Sequence, residues 1–126
     1  MKKIHKSEHA PKPLGPYSQA VEANGFIFLA GQIPIDPKTD QVVTGDIEKQ
    51  TVQVMENIKA VLTVAGLNFT NVLKTTIFLT DLNDFNKVNS IYGKYISEMP
   101  PARTTIQVAA LPKAVSVEIE MIAARP

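Results

Sequence analysis

The segment "PPARTTIQV", residues 100–108, sets Arg103 and Thr105 two apart in a run that alternates polar with apolar. In an extended strand such residues share one face. A second alternating run, "SVEIEM", residues 116–121, offers Glu118 and Glu120 at the same period. If these two strands pair as a hairpin about Leu111–Pro112, Thr105 faces Glu118 and Arg103 faces Glu120. An arginine, a hydroxyl and a carboxylate then meet on the sheet face turned away from the core. A planar guanidinium clamps a carboxylate or phosphate through two parallel hydrogen bonds. A half-buried glutamate can position water or relay a proton. Each residue also has a plainer account, Arg103 as one half of a cross-strand surface ion pair and Glu118 as a solvated strand residue. Spacing leaves both accounts open.

Three further residues belong with these. Tyr17, in "GPYSQ", is pinned by Gly15 and Pro16, and its phenol either bonds a ligand or packs at a strand start. Gly31, in "AGQIP", ends a strand where backbone can approach a ligand closely, or it is a turn glycine. Asn89 sits near the middle of an expected helix, as a solvated or capping-type polar residue. Other chemistries find less support. His5 and His9 are four apart, but the surrounding prolines and the lack of a nearby carboxylate pair speak against a metal site. Ser18 and Ser90 have no histidine at a meaningful offset for a hydrolase triad. No glycine-rich phosphate loop is present. The chain has no cysteine, which excludes disulfides, thiolate catalysis and cysteine-ligated metals. The expectation is a site with no metal and no cofactor.

The elements that must position these residues can be read from periodicity. The 126 residues suffice for one domain, 1–126, with its own core. A short strand is expected at 2–6, then strands at 17–23 and 26–31 around Asn24-Gly25, a strong hairpin signal. Residues 34–45 are rich in turn formers. Apolar residues recur at helical spacing from Asp46 to Ala65, with Asp46 or Thr44 as N-cap and Gly66 as the stop. A strand at 72–80, a helix at 84–97 ended by Pro100 and Pro101, and strands at 103–108 and 115–124 complete the order. This gives an α+β layer, one mixed sheet with two helices on a single face.

The uncovered face of that sheet should be polar, and the last strand obeys, with Ser116, Glu118 and Glu120 pointing away from Val117, Ile119 and Met121. Strand 26–31 does not: Phe26, Phe28 and Ala30 lie on one side and Ile27 and Leu29 on the other. Phe78 likewise interrupts the polar side of its strand. A sheet apolar on both faces needs a second cover, and burial at about 25 cal/mol per Å² favours another subunit. The alternative is a lopsided core with a few exposed aromatics. Net charge is +1, from 13 basic and 12 acidic residues, with no basic stripe. Electrostatic binding to nucleic acid is therefore not indicated. The N-terminal "MKKIHKSEHAPKP" lacks a secretory apolar region, and the longest apolar run, "FIFLA", is far shorter than a membrane span. A cytoplasmic protein without membrane partners is the expectation.

Taken together, "GPYSQA", "FLAGQIPIDPKT", "QTVQVMENIKAVLTVAGL", "LNDFNKVNSIY", "PPARTTIQVAALPK" and "VEIEMIA" resemble the RidA (YjgF/YER057c/UK114) family, in order, from about Pro11 to Ala124. The resemblance implies a chorismate-mutase-like fold and a homotrimer with clefts between subunits. It also implies hydrolysis of enamine and imine products of pyridoxal-phosphate enzymes, such as 2-iminobutanoate and 2-iminopropanoate, to 2-oxo acids and ammonia. By the same resemblance Arg103 grips the substrate carboxylate and Glu118 serves the attacking water. Tyr17, Gly31, Asn89 and the backbone near Thr105 line the cleft. Members often carry cysteine where this chain has Thr105 and serine where it has Ala30. Thr105 keeps a small polar group but removes any role that needs a thiol. Endoribonuclease or translation-inhibitor activity has also been attached to the family, and a non-catalytic ligand-binding or chaperone-like role is a third class.

Overall fold

A computed structural model describes residues 1–96 and 98–126. Its strands and helices run β1 (Lys3–His5), β2 (Ala20–Ala23), β3 (Phe26–Gln32), β4 (Ile35–Asp36), β5 (Gln41–Val42), α1 (Ile47–Val64), β6 (Val72–Leu79), α2 (Phe85–Tyr95), β7 (Ala102–Gln107) and β8 (Val117–Ala124). Six strands form one mixed sheet in the order β1-β2-β3-β8-β6-β7, with β6 and β7 parallel and every other pair antiparallel. Ser97, the last residue of the expected second helix, lies outside the described residues. Among those residues no helix is long and apolar enough to cross a membrane.

Local chemistry accounts for the boundaries. Asn24 and Gly25 both take positive φ, 52° and 80°, as the two-residue turn between β2 and β3 requires. The Asp46 carboxylate accepts the Lys49 N–H at 2.9 Å and caps α1. At the other end Gly66 takes φ +78°. There the Gly66 N–H donates to Thr63 O and the Leu67 N–H to Leu62 O, both at 2.9 Å, which closes the helix in a Schellman arrangement. The turn-rich stretch 34–45 holds a small hairpin of its own, β4 with β5. It is tied to α1 by Asn57, whose Nδ2 donates to the Ile33 and Ile35 carbonyls at 3.2 and 2.9 Å.

The core lies between the helices and one sheet face. Ile27, Leu29, Ile77, Leu79, Val117, Ile119 and Met121 meet Val54, Met55, Ile58, Leu62 and Val88 there. The opposite face is open and carries the second apolar set expected from the sequence. Phe28 is 50% exposed, Ile4 58% and Ile106 41%. Phe78 and Ile122 lie half-buried on the same side.

Two expectations about the last strands are corrected. β7 and β8 do not form a hairpin, because β6 lies between them, so Thr105 does not face Glu118 and Arg103 does not face Glu120. The cause is the connection: β6 reaches β7 through α2, and a strand returned by a helix pairs in parallel beside its predecessor. Nor do Arg103 and Thr105 point to the open face. In the parallel ladder they sit opposite Thr75 and Ile77, inward residues of β6, and share their side of the sheet. A polar pair is tolerated there because β7 is the edge strand and both residues stay only partly buried.

Candidate functional site

On the open face, Glu118 of β8 stands in a cleft of about 490 Å³ with Leu14, Tyr17, Ala30, Gly31 and Pro112 among its walls. Gly31 matters here through close approach rather than backbone conformation, because any side chain there would push the Glu118 carboxylate out of its present position. A Cβ built there would lie 2.9 Å from Glu118 Cδ and 3.1 Å from Cγ, inside contact distance. The register between β3 and β8 shifts between Leu29 and Gln32, which brings Gly31 up against the carboxylate. Burial raises the Glu118 carboxyl above the usual carboxylate range, and repulsion from Glu120 adds to it.

Tyr17 reaches the cleft from the segment between β1 and β2. Its Oη accepts the Leu14 N–H at 3.0 Å, which leaves the phenolic hydrogen to donate elsewhere. The segment is held from below by Gln19, only 3% exposed. Gln19 Oε1 accepts the Ser7 N–H at 2.6 Å, and its Nε2 donates to the carbonyls of Pro11 at 2.9 Å and Ser7 at 3.2 Å. Nothing in the alternation of the sequence singles out Gln19, and a buried glutamine is visible only once its partners are folded around it.

Arg103, Thr105 and Asn89 assemble on the other side of the sheet. They line a tight gap between β7 and α2, with Ile77, Phe85 and Val88. The Arg103 guanidinium carbon lies 5.0 Å from the centre of the Tyr92 ring and 5.5 Å from that of Phe85. Tyr92 Oη donates to Thr75 Oγ1 at 2.9 Å, and burial raises its phenol. Among the described residues Arg103 has no carboxylate within salt-bridge distance. The Thr105 hydroxyl oxygen is buried with no hydrogen-bond partner among the described residues.

The six candidates thus fall into two groups that one chain does not bring together. Thr105 and Glu118 are two strands apart, roughly 10 Å at ordinary strand spacing, and point to opposite faces. A larger groove, about 700 Å³, lies elsewhere, between α1, the N-terminal segment and the β4–β5 turn, and holds none of the six. Among the described residues no cluster of histidine and carboxylate side chains is arranged to hold a metal ion.

This two-helix layer with an acid in an open-face cleft has close counterparts. Residues 7–125 match the family model described as Endoribonuclease L-PSP. A RutC family protein of Pyrococcus horikoshii is 55% identical over 123 residues, covering 98% of both chains. A human 2-iminobutanoate/2-iminopropanoate deaminase is 45% identical over 123 residues, covering 98% of this chain and 90% of that one. The crystal structure of a Rid family protein of Yersinia pestis superposes with a TM-score of 0.97 at 48% identity, covering 99% of this chain and 100% of the other. The chain belongs to the RidA family.

Proposed function

We propose that this protein is an enamine/imine deaminase. It hydrolyses 2-iminobutanoate- and 2-iminopropanoate-type products of pyridoxal-phosphate enzymes to 2-oxo acids and ammonia, in a cleft completed between subunits of a homotrimer. The observation that carries the reading is the half-buried Glu118 with its raised carboxyl, set against Gly31 beneath Tyr17. The human relative named for this activity supports the substrate class. The division of the candidates supports a shared cleft. Arg103 lies at one edge with no carboxylate partner among the described residues, the acid stands on the other face, and that open face carries the apolar surface on which a neighbour would settle.

The chemistry follows from the residue types. Arg103 takes the substrate carboxylate through two parallel hydrogen bonds and so orients the adjacent C=N carbon toward water. An enamine first gains a proton at carbon and becomes the protonated imine. Glu118, as carboxylate, accepts a proton from water as the oxygen bonds to carbon and the C=N electron pair moves to the protonated nitrogen. The same group, now an acid, returns the proton to that nitrogen. The C–N bond then breaks and ammonia leaves as the hydroxyl oxygen forms the C=O bond and gives its proton to the Glu118 carboxylate. A carboxyl raised above the usual carboxylate range is better suited to returning the proton than an ordinary surface glutamate. The Tyr17 phenol, with its oxygen already occupied by Leu14, donates to the substrate. Backbone N–H groups near Gly31 and Thr105 add contacts to the carboxylate, and Asn89 lies beside them. Water and ionisable side chains suffice for these steps, which transfer no electrons. The endoribonuclease reading rests on the description of the matched family model, and a chain of net charge +1 lacks the electrostatic drive for RNA.

The test couples the protein to threonine dehydratase and follows 2-oxobutanoate release. The wild type accelerates release. Arg103→Ala, with folding intact by circular dichroism, lowers kcat/KM by about 100-fold or more, the usual loss for truncating one partner of a desolvated charge pair. Wild-type rates equal to buffer would overturn the proposal.

A further inference from the structure

Arg103 is an unusual arginine. It starts on an edge strand, has no carboxylate partner among the described residues, and yet lies over two aromatic rings of α2 at 5.0 and 5.5 Å. Phe85 and Tyr92 are seven residues apart, two helical turns, and so project from one face of α2. In sequence that face reads simply as core, with Val88 and Ile91. In the fold its two ends close on a cation.

We propose that Phe85 and Tyr92 are positioning residues that hold the Arg103 guanidinium in place for the substrate carboxylate. This rests on the deaminase reading and names how its anion clamp is built. Three observations converge. An arginine side chain carries some of the largest rotamer freedom of any residue, and on an edge strand no carboxylate among the described residues fixes its head. Two rings that attract the cation through their π faces restrict that freedom without engaging its N–H donors, which stay available to an anion. A carboxylate partner would restrict it too, but would occupy the donors. The Tyr92 ring is itself fixed. Its hydroxyl donates to Thr75 Oγ1 at 2.9 Å, and Thr75 is the residue paired with Arg103 across the parallel ladder. Ring and guanidinium are therefore referenced to the same register position of the sheet. The unpartnered Thr105 hydroxyl lies in the same gap, two residues along β7, so the uncommitted polar groups of this edge are gathered beside the stacked cation. Binding to a pre-positioned fork loses less conformational entropy than binding to a mobile one.

The experiment compares Tyr92→Leu, Tyr92→Phe, Phe85→Leu and Arg103→Ala in the full chain. It reads the inhibition constant of 2-oxobutanoate, kcat and KM separately, and the ¹⁵N–¹H signal of the Arg103 guanidinium. Tyr92→Leu is expected to raise the inhibition constant and KM about tenfold, the size of a desolvated cation–π contact. It should also shift the Arg103 signal as the ring current is lost. Tyr92→Phe, which keeps the ring and removes only the bond to Thr75, recovers most of that loss. A role in core packing alone would instead track thermal stability, leave the inhibition constant unmoved and show no ring-current shift. Tyr92 is buried, so if Tyr92→Leu does not fold, the half-exposed Phe85→Leu decides, with the same direction expected. Folded leucine variants with wild-type inhibition constants would overturn the positioning role, while loss of inhibition in Arg103→Ala keeps the anion clamp standing. Unchanged inhibition in Arg103→Ala would overturn the deaminase reading of that residue itself.

Discussion

Glu118 is the residue whose surroundings depart furthest from what its place in an alternating strand suggests. It has the spacing of a solvated glutamate, but Gly31 admits it to a cleft where burial and Glu120 hold its carboxyl above the usual range. The sign of the consequence is fixed. A carboxyl raised in the folded state costs stability above its folded value, and the cost fades as pH falls through that value toward 4.5. Glu118→Gln should therefore melt higher than wild type at neutral pH, with the gap closing in acid. The same substitution should lower kcat by about 100-fold or more, as expected for loss of a general base. Thermal melts from pH 4 to 8 with parallel rates check both, and a variant that melts lower at neutral pH would contradict the buried environment. Arg103 teaches the converse. Its type announces anion binding, and its alternation gave the wrong face, because strand period fixes which residues share a side but not which side is covered.

Among the elements, β7 decides the layout of the candidate residues and β1 shows how the far edge is secured. β7 follows α2, so it lies parallel to β6 at the sheet edge and carries Arg103 beneath the helix instead of beside β8. At the opposite edge, Glu22 of β2 joins three parts of the chain. It accepts from His5 Nε2 at 2.7 Å and from Arg125 Nε and Nη2 at 2.7 and 2.8 Å. Hydrogen bonds from Arg125 and then His5 pull its carboxyl down from 4.5 to about 2. A depressed carboxyl contributes stability that is present above the unfolded value and lost as pH falls from 4.5 toward 2. Glu22→Gln should therefore melt lower than wild type at neutral pH, with amide exchange rising first in β1 and near the C-terminus. The two proteins should converge near pH 2, and a difference that persists there would show that the carboxylate is not its source.

For the whole molecule, the open face is the deciding feature. Phe28, Ile4 and Ile106 stand exposed on a sheet already covered on its other side, and the two groups of candidate residues lie on different faces. A trimer that buries the open face would address both at once. Phe28→Asp places a charge in that surface and should shift the proposed trimer to monomer in sedimentation. Deaminase activity should fall by at least tenfold, the penalty expected for a charge facing an apolar interface. Activity in a proven monomer would refute the shared cleft.

The sequence by itself determined the order of the main-sheet strands and the two helices, the stop at Gly66, the Asn24-Gly25 turn and the second apolar face. All of these follow from local propensity and from periods of 2 and 3.6 residues, which neighbouring side chains carry with them. The six segments that resemble the RidA family also carry all six candidate residues. The β4–β5 hairpin and the choice of Asp46 over Thr44 as cap came from the structure. Only the tertiary structure decided that β6 separates β7 from β8, that Arg103 and Thr105 turn toward α2, and that Gly31 makes room for the Glu118 carboxylate. Those facts depend on strand order and on contacts between residues distant in the chain. Pairing across a sheet is set by how α2 returns the chain to the edge and by which surfaces bury best together, and neither is written in any one stretch of residues.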